Sequence, residues 1–128
     1  MISGRFGENG ELFFEIELIA SNGEVFPVEV LLDTGFTTGF LAINSQDLDA
    51  LDWSLIAPQI EMQTAQGEGF FDIYEAWVII DGQDLIVPVH VGEDIAEILI
   101  GSQWLDRMQL VVNKPMGILT LEIVSSAE

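Results

Sequence analysis

Cysteine is absent from the 128 residues, which excludes disulfides, thiol nucleophiles and thiolate metal sites. Cations are scarce as well: three Lys and Arg stand against 22 Asp and Glu, a net charge of −19. A field of that sign repels phosphate backbones and anionic headgroups, so neither nucleic acid nor a membrane is an expected partner, whereas basic or neutral peptides are drawn in. The blander reading of the charge is a solubility coat with no partner preference. Long apolar runs are missing too; the longest, such as Ala76 to Ile80, reach about five residues where a membrane helix needs about 20. Met1 to Asn9 holds no apolar run that could serve as a signal peptide, and a cytoplasmic location is the expectation.

What is present is a folded pattern. Hydrophobic residues make up 49% of the chain and fall into short alternating runs, which predicts a single domain over residues 1–128 with a true core. Leu12, Phe14, Ile16 and Leu18 alternate with Glu15 and Glu17, the period-2 mark of a strand with one wet face. Asn22-Gly23 is expected to supply the positive-φ positions of a tight hairpin, and Val25 to Leu32, being more apolar, to return as a more buried strand. Asn44 can cap a short helix that carries Asp47 in its first turn and turns Leu48 and Leu51 inward, ending near Trp53.

Ala57-Pro58 and Gln66 to Gly69 are expected to be loops, with a strand from about Phe70 to Ile80. Asp81-Gly82 is a second hairpin signal, and Leu85 to Val91 returns as a strand that Pro88 places at an edge or bulge. Glu97 to Ile100 reads as a short buried strand ending at Gly101, followed by a helical turn from Ser102, its cap, to Met108. Leu110 to Val112 and Ile118 to Ile123 form a last hairpin about Pro115-Met116-Gly117. Many short strands and one or two short helices predict an all-β closed barrel. Val30 to Gly35 and Ile98 to Gly101, each an apolar strand running to a glycine and then to a short helix, suggest a faint internal two-fold repeat.

One motif carries chemistry. Leu31-Leu32-Asp33-Thr34-Gly35 puts a carboxylate where an apolar strand emerges into a turn, a costly place for a charge without compensation. Two such groups side by side compensate by sharing one proton: the ionised member activates water, and the protonated one polarises a scissile carbonyl. That pairing is the aspartic-protease dyad of general enzymology. Gly35 allows a sharp turn and the approach of its amide, and Thr34 offers a hydroxyl that can brace the loop. The triplet occurs once, so a working site needs a symmetric dimer with the axis between two Asp33 side chains.

In these features the chain resembles the retropepsin-like aspartic peptidases, especially their small bacterial members. The residues that carry the likeness are the N-terminal hairpin, the run Leu31 to Leu41 around Asp33-Thr34-Gly35, and Ile98-Leu99-Ile100-Gly101, the apolar-glycine second signature. The resemblance implies catalysis by Asp33, Thr34 and Gly35 in a homodimer, a polypeptide substrate and no cofactor or metal. It also implies a groove and flap formed by Phe36, Thr37, Thr38, Ala65, Gln66, Gly67, Ile100 and Gly101, with the flap at Ala65 to Phe70. Terminal strands paired across the dimer, Leu119 to Ile123 with Met1 to Phe6, are implied as well. Phe36 and Gly39 depart from the retroviral pattern, which has a small residue and a hydroxyl there; Thr37 or Thr38 is expected to supply the hydroxyl.

The plainer readings are an ordinary strand-end turn at Asp33-Thr34-Gly35, or a domain of the same fold that binds peptides or dimerises without cleaving. Asp47, Asp49 and Asp52 lack the glycine and closing glutamate of a calcium loop and read as a solvated helix face. His90, the only histidine, reads as structural, and Trp53, Trp77 and Trp104 as core or interface fillers. Gly67 and Gly69 lack the strand-to-helix setting of a phosphate loop.

Overall fold

The computed structural model describes the backbone of residues 1–64 and 67–124 and the side chains of 1–61 and 69–124. The strands are β1 (Ile2–Ser3), β2 (Arg5–Phe6), β3 (Leu12–Ile19), β4 (Val25–Asp33), β5 (Leu41–Asn44) and β6 (Leu55–Thr64). They continue with β7 (Gly67–Ile80), β8 (Gln83–Gly92), β9 (Leu99–Gly101), β10 (Met108–Asn113) and β11 (Ile118–Ile123). Among the described residues, helical structure is confined to 3-10 turns at Ser45–Asp47 and Ser102–Asp106 and to α1 (Leu48–Leu51). The chain is all-β, as its alternation predicts.

The large sheet runs β2-β3-β4-β9-β5-β8-β7-β6, and a further pairing of β3 with β7, Leu18 opposite Val78, closes it into a barrel. Closure removes the edges of the strands inside the ring. Alternate residues, among them Phe14, Val30, Ile43, Val78, Val89 and Ile100, point inward and are all but inaccessible. A small sheet of order β1-β11-β10 packs beside the barrel, sending Leu119 and Leu121 into the same core. The terminal strands therefore pair within one chain, Ile2 opposite Leu121.

The two segments of the expected repeat meet in space, β4 and β9 lying parallel with Leu31 beside Leu99, Leu32 beside Ile100 and Asp33 beside Gly101, although β5 stands between β4 and its helical turn whereas β9 runs directly into one. The second parallel pair, β5 with β8, completes the arrangement.

Several local expectations are corrected. β4 is less buried than β3, because its first half pairs only with β3 and lies at an open margin, where Val25 is 43% exposed. The first hairpin has a three-residue loop, closed by Ala20 N–H donating to the Glu24 carbonyl at 2.8 Å, with a positive φ at Gly23 and not at Asn22. At Asp81-Gly82 both residues have positive φ, as a two-residue turn demands. Ala57-Pro58 is strand: β6 is an edge strand with register shifts around Ala57, and such irregularity accommodates a residue that cannot donate. Gly67 to Gly69 belongs to β7, while Ala65 and Gln66 lie outside the described residues.

Pro88 follows its expectation, for it stands one residue before the point where β5 begins to pair with β8 at Val89. Asn44 caps the first helical turn by accepting from the Gln46 amide, and Leu51 is buried, with Leu48 half-buried against the core. Gly101, rather than Ser102, occupies the cap position of the second turn, which ends at Asp106; the preceding strand is Leu99–Gly101. Trp53 and Trp104 fill the core, each indole N–H donating to a carbonyl, of Ile19 and Phe40 respectively, whereas Trp77 is 39% exposed on the outer wall. No helix among the described residues is long and apolar enough to cross a membrane, and they contain no cluster of three or more His, Asp or Glu able to hold a metal ion.

Candidate active site

Asp33 closes β4 at the centre of the sheet, and the strand then breaks into a turn at Thr34 and Gly35. The turn is tied by Phe36 N–H donating to the Asp33 carbonyl at 3.1 Å and by Gly35 N–H donating to the Asp33 carboxylate at 2.9 Å. The second bond is the expected approach of the Gly35 amide, and it orients the carboxylate. Asp33 is half-buried, and Thr34 and Gly35 are exposed at the tip.

The loop is clamped from behind by the second signature. Ser102 N–H donates to the Phe36 carbonyl at 3.0 Å and Gly101 N–H to the Phe40 carbonyl at 3.1 Å. A Cβ at Gly101 would lie 2.0 Å from the Gly39 carbonyl oxygen, so only glycine allows the two backbones this approach. Trp104 braces the far end of the loop, its indole N–H on the Phe40 carbonyl at 2.8 Å and its ring edge-on to Phe40.

The two departures from the retroviral pattern explain one another. Phe36 is buried, and a Cβ at Gly39 would fall 2.0 Å from the tip of its ring. The large ring occupies the space that a side chain at position 39 would need. Thr37 and Thr38 are exposed, and the Asp33 carboxylate accepts from the Gly35 amide.

In front of Asp33 lies a cleft of about 620 Å³. Its floor follows from register: Leu31, Leu99, Ala42 and His90 are successive partners across β4, β9, β5 and β8, so their side chains share the face opposite the core. Of the residues expected in a groove, Asp33 and Phe36 line it. Ile100 is fully buried in the core, and its neighbour Leu99 faces the cleft instead. Gly101 lies beneath, in contact with the loop backbone, and Gly67 lies on β7. Ala65 and Gln66 are outside the described residues, and Phe70, at the end of the expected flap, is 62% exposed at the rim.

Several cleft residues were not singled out by motif. Phe71, Asp72 and Tyr74 arrive on β7, and Glu93, Asp94 and Glu97 on the segment between β8 and β9. Asn44 holds that segment, its amide donating to the carbonyls of Glu93 at 2.9 Å and Ile95 at 3.1 Å. A readable signal existed, since the acidic run directly precedes Ile98 to Gly101. His90 is 7% exposed, edge-on to Phe36 at 5.1 Å and to Phe71 at 6.0 Å, and its Nδ1 has no hydrogen-bond partner among the described residues. Burial lowers its pKa from the ordinary 6.5, partly opposed by the Leu41 carbonyl.

A closed barrel with parallel β4–β9 and β5–β8 pairs, an Asp-Thr-Gly turn at its centre and a cleft in front of it define the retropepsin-like fold. Solved structures agree. The chain superposes on a retropepsin-like aspartic protease from Rickettsia conorii with a TM-score of 0.62 at 19% identity, covering 99% of this chain and 92% of that one. It superposes on EIAV protease, solved with the inhibitor HBY-793, with a TM-score of 0.58 at 17% identity over 79% of this chain and 90% of that one. No family model matches the sequence, and no curated protein matches it.

Proposed function

We propose that residues 1–128 form one aspartic endopeptidase domain that hydrolyses peptide bonds as a cytoplasmic homodimer, with Asp33 of each subunit supplying one carboxylate of the dyad. The observation that carries this reading is the placement of Asp33, oriented by the Gly35 amide, at the wall of a peptide-sized cleft in a retropepsin-like barrel. The exposed tip formed by Thr34 and Gly35 supports it too, because a second copy meeting there would brace one loop with the other. In the reaction one carboxylate takes a proton from water as the oxygen attacks the carbonyl carbon. The other, protonated, donates to the carbonyl oxygen, and the amine leaves with a proton returned from the pair. Thr34 and Gly35 hold the carboxylates in place, and no metal or cofactor takes part.

Asp33→Asn keeps the shape and removes the base. Cleavage of a peptide library is expected to drop by roughly a hundred- to ten-thousandfold, with the fold and dimer retained. Wild-type rates from the purified variant would show that the chemistry lies elsewhere, and peptide binding without cleavage by a verified wild-type dimer would mark a non-catalytic binding domain.

A further inference from the structure

The cleft's lining is chemically one-sided. Beside Asp33 it presents the carboxylates of Asp72, Glu93, Asp94 and Glu97 and no Lys or Arg. The chain's three cations are placed elsewhere: Arg5 pairs with Glu29 at 2.6 Å, Arg107 lies over Phe40, and Lys114 is in the turn between β10 and β11. Glu93, Asp94 and Glu97 are exposed at the rim, and the Asn44 amide fixes the backbone that carries them. The floor beneath is apolar and aromatic, made of Leu31, Leu99 and Phe71.

A second observation points to a ligand at the same place. His90 lies in this floor, more than nine-tenths buried, with Nδ1 unpartnered among the described residues. A buried imidazole nitrogen without a partner is a standing cost that an N–H donor entering the cleft would remove. Because desolvation lowers its pKa, the ring is uncharged in neutral solution, so it adds an acceptor and does not cancel the acidic rim.

We infer that the cleft selects polypeptide substrates carrying a Lys or Arg side chain next to the bond to be cut, the alkyl stem lying on the apolar floor and the cationic head reaching Glu93, Asp94 and Glu97. Long basic side chains are built in this way, an apolar stem with a charged tip, and an Arg head gains further from an aromatic face. An acidic side chain meets like charge there, and a plain aliphatic one leaves the rim unused. The inference rests on the proposed peptidase activity and names its substrate class.

The test uses peptides that differ at one position, Lys, Arg, norleucine or Glu, cut by the wild-type protein at low and high salt. Lys and Arg peptides are expected to show a kcat/KM about tenfold above norleucine at low salt, shrinking as salt screens the rim, with Glu peptides the poorest. In the Glu93→Gln/Asp94→Asn/Glu97→Gln variant, shown by its thermal melt to be folded, the basic-to-norleucine ratio is expected to fall towards one, and Glu97→Lys should improve Glu peptides relative to wild type. Equal cleavage of basic and norleucine peptides by the wild type, or a ratio unchanged in the triple variant, overturns the inference and leaves the peptidase reading intact. Cleavage of none of the peptides overturns the peptidase reading instead. Anisotropy of labelled Lys and norleucine peptides then decides the cleft's preference, with equal affinity counting against it.

Discussion

His90 is buried beneath the cleft with its ring edge-on to Phe36 and Phe71, and these surroundings make pH a readable variable. Unfolded, an imidazole binds its proton near pH 6.5; folded, desolvated between Phe36 and Phe71, it does so only at lower pH. Between those two values the unfolded state holds more protons, so stability falls as pH drops through the window and stops falling once the folded ring is charged. His90→Phe removes the titration and keeps a ring in the aromatic site. Urea midpoints measured from pH 7.5 to 4.5 are expected to decline more for wild type than for this variant below about pH 6.5; parallel profiles would show that His90 does not carry the effect. Comparison with the variant also cancels the opposite trend, relief of self-repulsion in acid.

At the scale of elements, the Asp33 loop is held by complementary volumes as much as by hydrogen bonds. The Phe36 ring fills the space in front of Gly39, and the Gly39 carbonyl in turn fills the space in front of Gly101. Gly39→Ala is therefore expected to cost about 1–3 kcal/mol by overpacking, read as a lower urea midpoint. Adding Phe36→Leu should recover part of that loss, with a coupling of more than about 0.5 kcal/mol in the double-mutant cycle. Strictly additive changes would mean that the ring and the glycine do not share one space. Position 36 on its own reads as an anomaly; packed against position 39 it is one half of a pair.

For the whole molecule, the proposed homodimer makes charge a control on association. A net −19 per chain is doubled in a pair, and at low salt the screening length reaches about 30 Å, so two copies repel across their whole facing surfaces. Dimerisation is expected to tighten with added salt and with mild acidification, and activity to follow it; sedimentation velocity at low and high salt measures the first. A pair equally tight in both would remove electrostatics as the control on assembly. The acidity that opposes pairing also gives the cleft its negative rim, where the partner would be a cation rather than a second copy.

Much of the fold was legible because strand alternation, turn glycines and apolar runs are local properties. Leu12 to Leu18, Asp81-Gly82 and the hairpin after Leu110 each declare themselves within a few residues, and Asp33-Thr34-Gly35 at the end of an apolar strand marks the candidate site unaided. Local pattern failed where burial depends on neighbours distant in sequence. β4 is apolar yet half open because β9 covers only its end, and Pro58 sits in a strand because β6 has a free edge. The sequence by itself therefore determined most of the strands, the Asp33-Thr34-Gly35 turn and the charge. Only the tertiary structure decided that Asp33 stands beside Gly101, that Leu99 rather than Ile100 faces the cleft, and that His90 and an acidic rim meet there. Those are matters of register between strands far apart in the chain, and a shift of one residue turns every side chain to the opposite face.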